Sequence, residues 1–133
     1  MIGAEFDHHG QQTSATIRVV DPNHPATQGL GDEWKLEREE LYQFKHYDAA
    51  RVNELLVLDQ NPEDGTAGHF PLAWTKDYEK GRIFYSALGH RDDLWDDDPA
   101  RKNRVNARSV SRQFLGHLQG GIAWALGLAD GEK

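Results

Sequence analysis

The chain has 133 residues, enough for one domain of ordinary size, and its hydrophobic fraction of 38% supports a buried core. Its formal net charge of −7 argues against a general nucleic-acid-binding protein, which needs a basic face. The absence of cysteine excludes disulfides, a thiolate nucleophile and thiolate metal ligands.

Neither a secretory nor a membrane-spanning segment is predicted. The first residues lack the basic start and apolar run of a signal peptide. No stretch approaches the roughly 20 apolar residues that cross a bilayer. We therefore expect a cytoplasmic protein with no membrane partner.

The first 60 residues show several short strand patterns. Residues 1–14 are polar and indicate a loop or a short edge. Residues 15–20 form a β-rich run, which ends at a segment with two prolines. Residues 33–45 fit two short strands with period two, although their Glu, Leu, Lys and Arg also favour a helix. Residues 53–58 predict another strand, followed by a loop over 59–68.

A hairpin follows. Residues 72–78 and 83–88 predict two antiparallel strands, joined at Glu79-Lys80-Gly81 by a turn in which glycine takes a positive φ. The run 83–88 is apolar on both strand faces. That pattern is typical of a central strand buried on both sides in an α/β sheet. Residues 91–108 are charged and irregular, and indicate a loop.

The last predicted element is an amphipathic helix over 109–126, with apolar residues at three- and four-residue spacing. Ser109 or Ser111 is expected as its N-cap and Gly127 as its stop. Each glycine inside a helix costs about 1 kcal/mol relative to alanine. The glycines of this segment therefore predict close packing against the sheet. One helix covers only one face of the strand predicted over 83–88. We therefore expect a partner to cover the other apolar face of this strand.

His90 is the leading candidate for a functional residue. It follows the apolar run, and the carboxyl end of a buried strand is the usual location of an α/β active site. We expect it at the edge of a pocket. The competing interpretation is that His90 only begins an exposed acidic loop.

Several phrases together resemble the ThuA-like (trehalose utilisation) family. They follow the family's order over residues 3–127, and the set is more specific than any single phrase. The phrases are Asp21–Leu30 (DPNHPATQGL), Glu40–Tyr42 (ELY), Pro71–Trp74 (PLAW), Gly81–His90 (GRIFYSALGH), Trp95 and Gly120–Gly127 (GGIAWALG).

This resemblance implies an α/β fold, flavodoxin-like or class I glutamine amidotransferase-like but partial, with a mixed sheet and a C-terminal amphipathic helix. The family domain is usually about twice as long as this chain. Residues 1–133 are therefore expected to form a single domain that resembles its C-terminal half. Residues 96–112 depart from the family pattern, since they are longer and more basic than the usual link.

The amidotransferase comparison also implies a mechanism. In that fold a histidine follows a core strand, with an acid two positions later, and the pair activates a cysteine. His90-Arg91-Asp92 resembles this pattern. Without cysteine, His90 is expected to act as a general base or a metal ligand. Glu40 and Asp92 are expected to assist, and Tyr42 and Trp95 to contact a sugar. A solvated glutamate and a core tyrosine are the competing interpretations of Glu40 and Tyr42.

Three histidines form a candidate metal site. His8 and His9 can bind Zn²⁺ or another divalent metal together with His90, because neutral imidazole is a common nitrogen ligand. The competing interpretation is an exposed pair, since no tight spacing such as HExxH is present. The acidic residues 92–98 lack the spacing of an EF-hand loop and indicate a solvated loop.

Two functions from different classes remain open. The first is a protein of trehalose or keto-sugar metabolism that binds or acts on a sugar near His90. The second is a non-catalytic binding or assembly module that retains half of the fold. In either case the expected partner is another copy of the chain or a missing N-terminal half.

Overall fold

The computed structural model describes residues 1–130, which form two antiparallel sheets and one long helix. Short 3₁₀ turns lie at Ala49–Arg51 and Asp92–Leu94. No helix in this described range is long and apolar enough to cross a membrane. The strands and the helix are β1 (Glu5–His9), β2 (Thr13–Val19), β3 (Glu33–Glu39), β4 (Tyr42–Lys45), β5 (Asn53–Gln60), β6 (Ala67–Tyr78), β7 (Gly81–Ser86) and α1 (Arg108–Ala125).

Five strands form the main sheet in the order β3-β2-β5-β6-β7, and β1 pairs with β4 in a separate ribbon. Each of these strand pairs is antiparallel. The α/β class and the C-terminal helix are as predicted. Residues 33–45 form two strands rather than a helix, because Trp34 and Leu36 alternate with exposed side chains and point into the core.

The prediction that 83–88 is a central strand was wrong. β7 is an edge strand, and Ile83 to Ser86 are only half-buried. The strands buried on both faces are β5 and β6, where Leu55 to Val57 and Leu72 to Trp74 are fully buried. Apolar periodicity reports which faces of a strand are covered, and it carries no information about the edges.

Both faces of β7 are covered from within the chain. Phe84 packs edge-on to His117 of α1, with ring centroids 5.2 Å apart. On the other face Tyr85 stacks on Trp74 at 4.4 Å, and Phe44 of the β1–β4 ribbon contacts both rings. The β1–β4 ribbon therefore packs on the second face, which the sequence analysis had left uncovered. That the chain has a partner stays a prediction.

The helix packs close to the sheet as predicted. A β-carbon on Gly121 would overlap the Phe84 ring, and one on Gly120 would overlap the backbone of Pro25. Gly127 ends the helix with φ 72°.

Two local predictions were wrong. The N-cap is Ala107, while the Ser111 hydroxyl donates to the Asp93 carbonyl instead. In the β6–β7 turn the positive φ belongs to Glu79 and not to Gly81.

His117 lies almost fully buried under α1. Its Nδ1 lies 2.7 Å from the Ala26 carbonyl, which makes Nδ1 the donor, and the Ser86 hydroxyl is 3.1 Å from Nε2. Burial lowers the pKa of His117 to about 4, against the opposing effect of the Ala26 hydrogen bond. Burial also lowers the pKa of neighbouring His24. Both imidazoles are thus neutral in the folded protein at neutral pH.

These lowered pKa values predict a loss of stability in mild acid. The pKa of His117 is lower in the folded than in the unfolded protein. The stability that the neutral, buried ring contributes is therefore complete above pH about 6.5 and is lost as the pH falls towards 4. The expected change in the free energy of unfolding is on the order of 3 kcal/mol. Urea titrations at steps of pH measure it. A flat profile, or the same slope in His117→Gln, would contradict the assignment.

Candidate functional site

The buried carboxylate of Glu39 organises the loop that carries His90. Glu39 ends β3 and is fully buried. Its Oε2 accepts the Gly89 N–H at 2.9 Å, and its Oε1 accepts the N–H groups of Arg91 at 3.2 Å and Glu40 at 2.7 Å. The residues on either side of His90, and the backbone of Glu40, are therefore bound to the same side chain.

Gly89 allows the chain to turn at this point. Its φ is 114°, which side-chain-bearing residues rarely adopt, and a β-carbon there would lie 2.9 Å from the Phe114 ring. His90 follows directly, four residues after the end of β7. His90 lies beyond the carboxyl end of its strand, but the predicted buried strand is an edge strand, and the groove described below does not include His90.

Glu40 lies between two imidazoles. His90 Nε2 is 3.3 Å from Glu40 Oε2, and His9 Nε2 is 3.5 Å from Glu40 Oε1. The Glu40 side chain is only 12% exposed, whereas those of His9 and His90 are 42% and 47% exposed. We call these three side chains the His9–Glu40–His90 cluster. It presents two accessible imidazoles around a largely buried carboxylate.

The β1–β4 ribbon places His9 in this cluster. His9 pairs across the ribbon with Tyr42, and their ring centroids are 5.7 Å apart. Phe6 packs edge-on to Tyr42 at 5.1 Å. The His9 Nδ1 lies 2.9 Å from the Gly10 carbonyl, so Nδ1 carries the proton and Nε2 faces Glu40. Burial, then the negative charge of Glu40, raise the pKa of the Tyr42 phenol, which keeps it a neutral donor.

Trp95 lies beside the loop, at the position predicted for a sugar contact. Its Nε1–H donates to the Gly89 carbonyl at 2.8 Å, and it remains 53% exposed. One ring edge packs against Phe114, with centroids 5.1 Å apart. The indole is therefore held at the backbone of Gly89, the residue before His90.

Asp92 does not join the cluster. It is exposed and forms an ion pair with Arg101 at 2.7 Å. The next residue, Asp93, is fully buried. It accepts hydrogen bonds from Arg91 and from the backbone of Val105 and Asn106. Glu40, and not Asp92, is therefore the carboxylate that faces His90.

His8 points away from His90. Its two ring nitrogens contact Asp7 and Glu63, each at 2.8 Å. Those hydrogen bonds raise the pKa of His8. Of the three histidines predicted as metal ligands, only His9 and His90 lie beside the same carboxylate, that of Glu40. As the side chains stand, no three His, Asp or Glu within residues 1–130 are grouped closely enough to hold a metal ion.

A groove of about 630 Å³ lies elsewhere, on β2, β3 and β5 and the loop that follows β5. Its lining includes Thr16, Arg18, Lys35 and Asn61, and none of the His9–Glu40–His90 cluster. The groove is therefore separate from the cluster.

The cluster is suited to proton transfer. A histidine with a carboxylate partner can take a proton from a bound hydroxyl group, or from a carbon beside a carbonyl, and return it. The sequence analysis named both Glu40 and His90, and the structure brings the two side chains together. The role of Glu39 was missed, because no sequence pattern showed that its side chain turns inwards.

The chain is thus an α/β protein in which a histidine–carboxylate cluster includes the loop after the last strand. Residues 1–125 match the sequence profile of the ThuA family, described as trehalose utilisation. The chain belongs to this family, as the resemblance of its phrases indicated. A search of curated proteins finds no significant match.

Two solved structures are similar to the chain, each with a TM-score of 0.63. One is a ThuA-like protein from Parabacteroides merdae, 26% identical, matched over 95% of this chain and 43% of that one. The other, from Bacteroides uniformis, is 18% identical, matched over 95% and 50%. Because its identity to this chain is only 18%, the Bacteroides uniformis structure supports the fold alone. This chain spans about half the length of either protein.

Replacing Glu39 is expected to release the His90 loop. In Glu39→Gln the amide NH₂ cannot accept a backbone N–H, so at least one buried donor loses its partner, at a cost of about 1–3 kcal/mol. Urea unfolding measures the stability, and the backbone resonances of Gly89 and Arg91 report on the loop. Exposed Glu37, in the same strand, provides the matched control Glu37→Gln. Equal stability of both variants, with unmoved resonances, would contradict this role.

Proposed function

We propose that this ThuA family protein acts on a sugar or keto-sugar at the His9–Glu40–His90 cluster. The observation that carries the proposal is the position of Glu40, whose two oxygens lie 3.3 Å and 3.5 Å from two accessible imidazole nitrogens. The family description, trehalose utilisation, supplies the substrate class.

The proposed roles follow from exposure and contacts. His90 is the general acid or base, because it is the most exposed member of the cluster and lies on a loop with fixed ends. Glu40 orients and balances the charge of the imidazole. Tyr42 donates a hydrogen bond, and the exposed Trp95 indole offers an apolar surface to a sugar ring. Asp92 supports the loop through Arg101.

A second candidate function is a binding or assembly module. It is favoured by two surfaces. One is β7, whose outer edge pairs with no other strand of residues 1–130. The other is formed by Ile122 of α1 and Leu126 at its C-cap, which are 54% and 68% exposed. An unpaired edge with apolar residues beside it is a common site of association. The partner is another copy of this chain or the half that the longer ThuA-like proteins contain in addition.

The sugar proposal is tested with trehalose and a keto-glucose as probes. We expect millimolar sugar to shift the imidazole resonances of His90 and His9 and the indole resonance of Trp95. His90→Gln should lose the response. His46→Gln should keep it, because His46 is exposed and contacts only Glu5 among the ion pairs of residues 1–130. Unchanged cluster resonances with both sugars would overturn the proposal.

The assembly proposal is tested by sedimentation equilibrium. We expect a mass above 15.1 kDa for the isolated chain. Ile122→Lys should return it to the monomer, because a charge on this surface opposes apolar contact. Val20→Lys is the matched control, since Val20 is also an exposed aliphatic residue but follows β2. A folded monomer at every concentration would show that the chain does not associate with itself.

A further inference from the structure

The groove on β2, β3 and β5 has the size of a small-molecule site. Its volume is about 630 Å³, and ligand pockets measure roughly 300–1,000 Å³. Its lining includes Thr16 and Arg18 of β2, which pair across the strands with Lys35 and Glu33 of β3. These four residues are exposed, whereas the residue between the two members of each strand is buried. The groove therefore lies on the solvent face of the sheet.

One wall of the groove is the loop after β5, and its shape is fixed by hydrogen bonds. The Asn61 N–H donates to the Thr66 carbonyl at 2.8 Å, and the Gly65 N–H donates to the Asn61 carbonyl at 2.9 Å. The Asn61 side-chain oxygen accepts the Glu63 N–H at 2.8 Å. The Glu63 carboxylate in turn contacts His8 of the β1–β4 ribbon at 2.8 Å. Because the wall is already ordered, a ligand loses little affinity to ordering it.

A bidentate ion pair lies in the lining of the groove. Arg18 Nε and Nη2 donate to the two oxygens of Asp59, each at 2.8 Å. The pair holds both side chains in place and uses only part of the guanidinium donors and of the carboxylate lone pairs. Arg18 and Asp59 can therefore donate to one hydroxyl group of a ligand and accept from the next.

The charge of the lining disfavours an anionic ligand. Arg18 is balanced by Asp59, so the other charged side chains decide the sign. These are Lys35 and the carboxylates of Glu33 and Glu37, one cation against two anions. A phosphate or carboxylate group would be repelled, the more so because the whole chain carries a formal charge of −7. A neutral ligand whose groups both donate and accept hydrogen bonds avoids this repulsion.

We propose that this groove binds a neutral saccharide. Hydroxyl groups donate and accept alike, which matches the mixture of hydroxyl, amide, cationic and carboxylate side chains in the lining. Ala15 and Pro62, both half-buried, also line the groove and offer an apolar surface to the C–H face of a sugar ring. The site shares no lining residue with the His9–Glu40–His90 cluster and involves no reaction. It is thus a binding site in addition to the one of the proposed function.

Nuclear magnetic resonance titrations with trehalose and maltotriose test the site. We expect both neutral sugars to shift the Arg18 Nε–H and the side-chain amide of Asn61. Thr16→Val and Lys35→Met should each weaken binding about fivefold, since each removes one hydrogen-bonding group. Lys80→Met is the matched control and should bind like the unchanged protein, because Lys80 is exposed in the β6–β7 turn outside the groove. These side chains are exposed, and urea unfolding verifies that the variants fold.

A charged probe tests the argument from charge. Trehalose 6-phosphate should bind the groove about fivefold more weakly than trehalose, because its phosphate approaches two carboxylates. The double variant Glu33→Gln/Glu37→Gln should remove most of that difference. Equal affinity of the two sugars for the unchanged protein would overturn the assignment of a neutral ligand.

The resonances also separate this inference from the proposed function. Shifts at Arg18 and Asn61 report on the groove, whereas shifts at His90 and Trp95 report on the cluster. Groove resonances that stay unmoved by both sugars at tens of millimolar would overturn the inference, even if the cluster responds. So would an equal loss of affinity in Lys35→Met and Lys80→Met, which would mark the binding as unspecific.

Discussion

A single buried carboxylate holds the candidate site together. Glu39 is inaccessible to solvent and accepts hydrogen bonds from the backbone of Glu40, Gly89 and Arg91. A buried carboxylate without such donors would be costly, so the loop is bound where these N–H groups are satisfied. The end of β3 and the loop after β7, about 50 residues apart in sequence, thereby meet at one point.

The side chains of the His9–Glu40–His90 cluster lie next to these bound residues. Glu40 follows Glu39 in the chain, so its carboxylate emerges on the other side of the strand end, beside His90. The ribbon then adds His9, because β1 pairs with β4 directly after Glu40. The cluster thus joins side chains from three separate segments, and no single helix or strand carries all three. Its geometry therefore depends on the backbone hydrogen bonds that Glu39 accepts. This explains how an exposed cluster can hold a defined arrangement.

The sequence allowed much of this to be predicted. Period-two alternation identified β3 and β4, and helical spacing identified α1, since both patterns follow directly from which side chains are buried. The ordered phrases identified the family. The roles that the resemblance implies for Glu40, Tyr42, His90 and Trp95 stay predictions. The predictions of the strands, of the helix and of the family succeeded, because there a local pattern reports a local property.

The failures concern properties that a local pattern does not contain. The apolar faces of β7 suggested a central strand, but a helix and a ribbon can cover both faces of an edge strand equally well. Asp92 was expected to assist His90 because the amidotransferase resemblance implies an acid two positions later, whereas the structure pairs Asp92 with Arg101. Glu39 and Glu40 are identical in type, and only the packing decides which is buried. His8 and His9 differ in the same way, because neighbours in a strand point to opposite faces.

The central claim is that Glu39 positions the loop so that one carboxylate, Glu40, faces both His9 and His90. A crystal structure of the chain tests it most directly. We expect a buried Glu39 that accepts hydrogen bonds from the N–H groups of Gly89 and Arg91, with both imidazole Nε2 atoms next to the Glu40 carboxylate. A His90 ring paired with Asp92, or a Glu39 side chain in solvent, would contradict it.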